Sequence, residues 1–242
     1  MQFGKKFRAM VCGRIALAVG DLIAVTNAVF WLLTFTLDCV EMKPNEFCRK
    51  FLVEAAGPSA HGLDIGCGDG SLIKDIQLTG ADCVGVEIDS KMVAALVNQG
   101  LNVQVAFAES LPFENASMDF VVSSVVLPYT DPKATFIECA RILKTGANLR
   151  LTTHSIHYGL GYLLVEKSFW RRVYGLRMLV NTFWFQILGI KLPGFLGDTL
   201  CFSEAMLVSY ARQSGFENIV LTRAGDSELG RRFICLHAER LK

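Results

Sequence analysis

The sequence has almost no net charge and no recognisable metal-binding pattern. Its 24 Lys and Arg residues nearly cancel its 23 Asp and Glu residues, which leaves a formal net charge of +1. A chain without a basic stripe lacks the electrostatic field that nucleic-acid binding uses. The 8 cysteines form no CxxC pair, and the 4 histidines complete no zinc-ligand spacing. We therefore expect no nucleic-acid partner, no bound metal, and cysteines that are mostly buried and reduced.

The sequence also contains no internal repeats or low-complexity tracts. Its most unusual feature is an excess of apolar residues. Hydrophobic residues make up 52% of the 242 residues, and the mean hydropathy is +0.37. The length suits one α/β domain with additions, but the composition is unusually apolar for a protein that works in water. Two segments carry the excess, residues 15–37 and residues 156–200.

The first apolar segment, residues 15–37, follows a cluster of basic residues. A membrane span needs ~20 apolar residues, but Asp21 would lie near its centre, where an Asp costs about 2.5–3.5 kcal/mol. Asn27 argues the same way, and no small-x-small cleavage site follows Leu37, as a signal peptide would require. Two interpretations remain: helices that cap the ligand site, or a segment that lies on a membrane surface.

A glycine-rich loop organises the middle of the chain. The sequence LDIGCGDG over residues 63–70 joins a strand-like approach to a predicted helix over residues 71–78. Glycines let the loop turn sharply and let a ligand approach the backbone, and the helix N-terminus presents free N–H groups. A second predicted strand ends at Glu87, about twenty residues later, where an acid can bind a ribose diol. Ser71 stands where a dinucleotide fingerprint needs glycine, so the pattern indicates another nucleoside.

Four motifs in order carry a family resemblance. They are Leu63–Gly70, Val84–Asp89, Ala108–Phe113 with Met118–Val122, and Phe136–Gly146. Together they resemble the class I S-adenosylmethionine-dependent methyltransferases, in their small-molecule branch. The resemblance implies an enzyme with S-adenosyl-L-methionine as its cofactor. It also implies an α/β, Rossmann-like fold with a seven-stranded, mostly parallel sheet and helices on both faces. The alternation of predicted strands and helices independently favours a parallel sheet.

The resemblance also implies a set of cofactor-binding residues. They are Asp64, Gly66, Cys67, Gly68, Glu87, Ile88, Ala108, Glu109 and Ser124. The glycines would approach the methionine part of the cofactor, and Asp64 would orient the loop or only tie its N–H groups. Glu87 would bind the ribose, and Ile88 would pack on the adenine. Phe107 replaces an acid that the family often carries beside the adenine. Two alternatives follow: Glu109 substitutes for that acid, or Phe107 stacks on the adenine.

Catalytic residues are harder to predict, because methyl transfer mainly requires alignment of the acceptor with the methyl group. A base helps when the acceptor must lose a proton. His154 is the first candidate because it ends the predicted fifth strand, and His157 and Tyr129 follow; a purely structural role for His154 is the alternative. The absence of an Asn-Pro-Pro-Tyr string disfavours methylation of amides or nucleobase amino groups.

The second apolar segment, residues 156–200, is rich in aromatic residues with arginines between them. We expect a helical insertion after strand 5 that roofs the site and receives a hydrophobic acceptor. Two alternatives are that these aromatics only pack on the N-terminal helices, or that residues 183–185 contact a membrane. The predicted segments are 1–57 (apolar helical cap), 58–154 (cofactor-binding core), 155–202 (substrate-roof insertion) and 203–242 (C-terminal helix and closing strands).

These expectations define one function and one alternative. The chain is predicted to transfer a methyl group to a small hydrophobic acceptor that is natural-product-like, quinone-like or lipid-like. The alternative is a non-catalytic scaffold of the same fold that binds a protein partner or a membrane. A cytoplasmic location is expected, with peripheral membrane contact through the N-terminal segment or the insertion left open.

Overall fold

The computed structural model describes residues 44–192, 199–224 and 232–241. The apolar segment 15–37 lies outside these residues, so its two interpretations stay open. The predicted division of the chain into four segments also stays a prediction.

A seven-stranded sheet forms the centre of the described chain, in the order β3-β2-β1-β4-β5-β7-β6. The strands are β1 (His61–Ile65), β2 (Asp82–Glu87), β3 (Val103–Val105), β4 (Met118–Ser124), β5 (Leu143–His154), β6 (Phe216–Ala224) and β7 (Phe233–Arg240). Strands β1 to β5 pair in parallel, and β7 pairs antiparallel with both β5 and β6. The predicted seven-stranded, mostly parallel, Rossmann-like sheet is therefore confirmed.

Helices cover both faces of this sheet. The helices are α1 (Pro44–Val53), α2 (Ser71–Gln77), α3 (Ser90–Val97), α4 (Pro132–Ile142), α5 (Ile156–Leu164), α6 (Phe169–Leu188) and α7 (Glu204–Gln213). Side chains alternate along a strand, so Val121 of β4 joins one core, whereas Phe120 and Val122 join the other. The first core includes residues of α4 and α7, and the second includes residues of α1, α2 and α3.

Local chemistry explains where several helices begin. The Asp89 side chain accepts a hydrogen bond from the Lys91 N–H at the start of α3. Asp131 likewise accepts from the Lys133 and Ala134 N–H groups, with Pro132 in the first turn of α4. These are N-cap interactions of the kind that stabilise a helix start by ~1 kcal/mol. Both helices therefore begin directly after an aspartate that caps them.

Strand β5 is longer than expected. The sequence predicted a strand over residues 148–153, but β5 begins directly after α4, at Leu143. Leu143 pairs with Met118 of β4, and the register shifts between Met118 and Phe120. This extension depends on the partner strand and not on the apolar pattern of β5 itself.

The insertion after β5 contains two packed helices, α5 and α6. A Cβ built on Gly175 of α6 would lie 2.6 Å from the Leu163 N and 2.7 Å from the Gly159 O of α5. Only glycine permits this close approach. The Thr182 hydroxyl accepts a hydrogen bond from the Cys201 N–H at 2.9 Å, which joins α6 to the chain leading into α7. Within the described residues, no helix has the length and apolar character needed to cross a membrane.

Candidate active site

The glycine loop turns tightly over the ends of three neighbouring strands. The N–H groups of Gly66 and Cys67 both donate to the Val86 carbonyl of β2, at 2.8 and 3.0 Å. Gly66 has a φ of +70°, and a Cβ there would lie 2.2 Å from Cγ2 of Val126. The loop therefore fits between β2 and the segment that follows β4 only because residue 66 has no side chain.

Glu87 ends β2 with its carboxylate held by the backbone. It accepts hydrogen bonds from the N–H groups of Gly68 at 3.2 Å, Ile88 at 2.8 Å and Asp89 at 3.3 Å. These contacts fix the carboxylate beside the glycine loop. Since a carboxylate has about four acceptor sites, they leave about one site, on Oε2, for a further donor such as a ribose hydroxyl.

A cavity of about 490 Å³ opens beside this loop, at the carboxyl ends of β1, β4 and β5. Ligands of open parallel sheets bind at this edge, and the volume lies within the range of small-molecule sites. Five of the predicted cofactor residues line it: Asp64, Gly66, Cys67, Gly68 and Ser124. Thr152 of β5 and Phe233 of β7 form part of its opposite wall.

Asp64 lies in this wall with both carboxylate oxygens buried. Neither oxygen has a hydrogen-bond partner among the described residues. Burial, with the nearby charge of Glu87, raises the Asp64 pKa from 3.8 to about 8. The alternative in which Asp64 only ties loop N–H groups is therefore wrong for the described chain: Gly66 and Cys67 donate to Val86, and Gly68 donates to Glu87.

This buried, unpartnered carboxyl group fits a cationic ligand. A carboxyl group without a partner in a cavity wall is unfavourable unless a donor or positive charge enters the cavity. S-adenosylmethionine carries an ammonium group and a sulfonium centre. A Cβ on Gly68 would meet nothing within 4 Å, so the loop also has open space beside it. The residues present therefore fit this cofactor.

Helix α1, which lies within the predicted cap segment 1–57, closes one side of the cavity. Glu46, Arg49 and Leu52 line the cavity from α1. The Arg49 guanidinium pairs with Asp75 and donates to the Ser71 hydroxyl at 3.1 Å and the Ser71 carbonyl at 2.9 Å. The hydrogen bond with Asp75 raises the Arg49 pKa. These bonds fasten α1 to the start of α2; no local sequence pattern indicates them.

The predicted adenine side is more open. Ile88 is 59% exposed and Phe107 is 58% exposed, whereas Ala108 is buried in the core. The Glu109 carboxylate accepts a hydrogen bond from the Asp131 N–H at 2.7 Å. Glu109 is therefore engaged with the start of α4, and its substitution for a missing adenine-binding acid stays a prediction.

A clamp that sequence reasoning missed holds the loop beside this adenine side. Arg141 of α4 donates to the carbonyls of Phe113 at 2.7 Å and Leu111 at 2.8 Å. Its partner Glu138 accepts from Arg141 and from the Leu111 N–H, each at 2.8 Å. The clamp lowers the Glu138 pKa and raises the Arg141 pKa, chiefly through their mutual hydrogen bond. It fixes the backbone that follows Ala108.

The three catalytic candidates occupy different environments. His154 is buried at the end of β5 and stacks on Tyr158 of α5, with ring centroids 3.9 Å apart. Its Nδ1 has no hydrogen-bond partner among the described residues, and burial lowers its pKa to about 4. His154 also lies 5.6 Å, centroid to centroid, from Phe233 of the cavity wall. His157 is half-buried in the first turn of α5, and Tyr129 is exposed in the short 3-10 helix Leu127–Tyr129.

Comparison with known proteins identifies the class. A family model described as a methyltransferase domain matches residues 63–151. An uncharacterized protein of Methanocaldococcus jannaschii is 30% identical over 128 residues, which cover 51% of this chain and 60% of that protein. A ubiquinone biosynthesis O-methyltransferase of Hahella chejuensis is 31% identical over 47% of this chain and 53% of its own length. A solved S-adenosylmethionine-dependent methyltransferase of Methanosarcina mazei shares the fold, with a TM-score of 0.57 and 20% identity. The match covers 84% of this chain and 99% of that one.

Residues 63–151 therefore match a methyltransferase domain, and the described chain has the fold of the S-adenosylmethionine-dependent methyltransferases, as its motifs predicted. The expectations of an enzyme and of S-adenosyl-L-methionine as cofactor agree with this match. The chain spans 60% or less of the length of the two curated relatives described above.

Proposed function

We propose that this protein transfers a methyl group from S-adenosylmethionine to a small hydrophobic acceptor. The observation that carries the proposal is the cavity of about 490 Å³, lined by the glycine loop and by the buried, unpartnered carboxyl group of Asp64. A ligand without a donor or a positive charge would leave that carboxyl group without a favourable partner, whereas a nucleoside with an ammonium group supplies both.

Each loop residue has a role in this proposal. Glu87 binds the ribose diol through the acceptor site on Oε2 that its backbone donors leave free. Gly66 and Gly68 let the methionine part approach the main chain, and Asp64 offsets its positive charge. Ile88 packs on the adenine. The cofactor supplies an electrophilic methyl group, so the chain's main task is to hold the acceptor in line with it.

The acceptor side of the cavity supports an apolar acceptor. Phe233 lines the cavity, and behind it lies a run of aromatic rings: His154, Tyr158, Tyr162 and Tyr174. A quinone-like ring or a lipid-like chain would pack favourably against these aromatic rings. The similarity to a ubiquinone biosynthesis O-methyltransferase favours a quinone-like acceptor and O-methylation.

His154 is the first candidate for the base in this proposal, and His157 and Tyr129 follow it. Burial keeps the His154 imidazole neutral at pH 7, which is the form that accepts a proton. Its low pKa makes it a weak base, so alignment must supply most of the rate enhancement. We include a cytoplasmic location in the proposal because S-adenosylmethionine is a cytosolic cofactor.

Calorimetric titration with S-adenosylmethionine and S-adenosylhomocysteine tests the proposal. We expect binding to the wild-type protein, weakened about 10- to 100-fold by Glu87→Gln, because hydrogen bonds to a charged group contribute about 1.5–3 kcal/mol. Glu217→Gln is the matched control, since that exposed carboxylate lies on the edge strand β6 and does not line the cavity. Transfer of a labelled methyl group to catechol-type quinol precursors then tests the acceptor class.

Three outcomes would contradict parts of this proposal. Absence of binding in a protein that circular dichroism shows to be folded would favour the non-catalytic scaffold. Equal affinity of the wild type and Glu87→Gln would remove the ribose role of Glu87. Cofactor binding without transfer to any apolar acceptor would reject the acceptor class alone.

A further inference from the structure

The insertion after β5 exposes an unusual amount of apolar surface. Among the described residues, half of the large hydrophobic side chains that are exposed lie between residues 164 and 190. They are Leu164, Val165, Phe169, Trp170, Leu176, Val180, Phe183, Trp184, Leu188 and Ile190. Scattered exposed apolar residues need no explanation, but a contiguous patch of this kind marks an interaction surface.

Seven of these residues lie on α6, and most of the seven share one face of the helix. This helix has 20 residues and is therefore about 30 Å long. Gly175, Met178 and Thr182 face the rest of the insertion and are buried. Leu176, Val180 and Phe183 are each about 48% exposed and follow one another at helical spacing, so they form a single stripe. We call this stripe, with Phe169, Trp170 and Trp184, the α6 face.

Positive charge is concentrated at one end of the α6 face. Lys167, Arg171 and Arg172 are exposed there, although the whole chain carries a net charge of only +1. Glu166 is the one acidic residue between positions 164 and 192. Its carboxylate already pairs with Arg171 at 3.3 Å, and its backbone carbonyl accepts from Arg172 at 2.6 Å. The net charge at this end of the α6 face is therefore positive.

The combination of exposed apolar residues and positive charge distinguishes between possible binding partners of the α6 face. A second copy of the chain docked on the same face would bring basic residues together with no acidic residue of the face to pair with them. An anionic lipid surface satisfies both features, because headgroups attract the basic residues while aromatic and aliphatic side chains enter the interface. Helix α6 is not apolar enough to span a membrane, which fits a helix lying flat on the surface.

We propose that the α6 face binds the surface of a membrane that contains anionic lipids. Phe169 and Trp170 would insert at headgroup depth beside Arg171 and Arg172, and the stripe through Phe183 would lie along the interface. The proposal is independent of methyl transfer, so it stands or falls separately from the proposed activity.

Vesicle binding by the full-length protein tests the proposal. The probes are vesicles of phosphatidylcholine alone and of phosphatidylcholine with one quarter phosphatidylglycerol, in a flotation assay. We expect binding to the anionic vesicles and much weaker binding to the neutral ones. Arg171→Gln with Arg172→Gln should weaken binding about 25-fold, since a basic residue near an anionic surface contributes about fivefold. Phe169→Ser with Trp170→Ser should weaken it at least as much.

The matched control carries Leu78→Ser and Val220→Ser, which remove exposed apolar residues elsewhere on the domain. It should bind like the wild type, and circular dichroism verifies that every variant is folded. A variant with Trp31→Phe and Trp184→Phe leaves Trp170 as its single tryptophan. Its fluorescence should shift to the blue only with anionic vesicles.

Three results would overturn the proposal. One is no binding to either kind of vesicle. Another is binding that the α6 variants leave intact, which would move the contact to another segment such as residues 15–37. The third is a dimer in ultracentrifugation that the α6 variants disrupt while vesicle binding is absent, which would make a second copy the occupant.

Discussion

The two walls of the cavity are built by different means. The cofactor wall is held by the backbone: Gly66 and Cys67 donate to the Val86 carbonyl, and Gly68 donates to Glu87. The opposite wall is held by side-chain packing, with His154 stacked on Tyr158 and both near Phe233. A backbone-built wall suits a ligand that does not vary, whereas a packed aromatic wall can be reshaped by single substitutions. This difference separates cofactor recognition from acceptor choice.

The largest expected effect is at Gly66. Gly66→Ala places a Cβ 2.2 Å from Cγ2 of Val126 and also forces a side chain into left-handed backbone, which costs about 1–2 kcal/mol. Overpacking adds about 1–3 kcal/mol. We expect a loss of several kcal/mol in unfolding free energy, measured by urea denaturation, and loss of cofactor binding.

Gly68→Ala provides the control, because its φ is also positive but a Cβ there meets nothing within 4 Å. Gly68→Ala should lower the unfolding free energy only by the cost of a side chain in left-handed backbone, about 1–2 kcal/mol. Adding Val126→Ala to Gly66→Ala removes the clash, so it should recover the part of the unfolding free energy that was lost to overpacking. The part lost to the left-handed backbone should remain. Equal destabilisation by the two glycine variants would contradict the tight fit at Gly66.

The second prediction concerns Asp64 and the pH dependence of cofactor binding. Its pKa in the folded protein is about 8, against an ordinary value of 3.8. A cationic cofactor favours the ionised carboxylate, so binding should release a proton below pH 8. Affinity should rise with pH, by up to about tenfold per unit, and level off above pH 8. Asp64→Asn should bind S-adenosylmethionine weakly at every pH.

Titration calorimetry at several pH values, in two buffers of different ionisation enthalpy, measures both the affinity and the proton release. The same carboxyl group affects folding with the opposite sign. The folded state binds more protons than the unfolded state between pH 3.8 and about 8, so this group makes the free protein less stable as pH rises through that window. A pH-independent affinity in the wild type would reject the role of Asp64 as counter-charge.

The same contrast explains what the sequence could predict. The glycine loop and Glu87 belong to short motifs, and Glu87 binds backbone N–H groups within two residues of itself, so the sequence identified them. Glu109 shows the limit of this approach: its carboxylate binds the Asp131 N–H, a contact that no local pattern contains.

Longer-range features escaped the sequence for a physical reason. Arg49 reaches Asp75 across 26 residues, and Arg141 reaches Phe113 across 28, so each pairing depends on how helices and loops pack together. The missing partner of Asp64 is a property of its surroundings and cannot appear in its own motif. The exposed α6 face likewise depends on which side of the helix packs on α5.

The smallest expected effect lies in the aromatic wall, at His154. Its pKa in the folded protein is about 4, below the ~6.5 of an unfolded chain, so the unfolded state binds more protons between these values. The wild type should lose stability as pH falls from about 6.5 to about 4, and His154→Phe should remove that part of the slope. Urea denaturation across this pH range measures the change in stability. The control variant is His61→Gln, at the start of β1 and outside the cavity.

The turnover rate of His154→Phe tests whether the aromatic wall acts separately from the cofactor wall. Affinity for S-adenosylmethionine should be unchanged in His154→Phe, because the loop hydrogen bonds involve Val86 and Glu87 and not the imidazole. If His154 accepts the acceptor's proton, kcat falls while cofactor affinity holds. Unchanged kcat together with the altered pH slope would assign His154 to packing alone and leave His157 and Tyr129 as candidates. Loss of cofactor affinity would instead show that the aromatic wall and the cofactor wall are coupled.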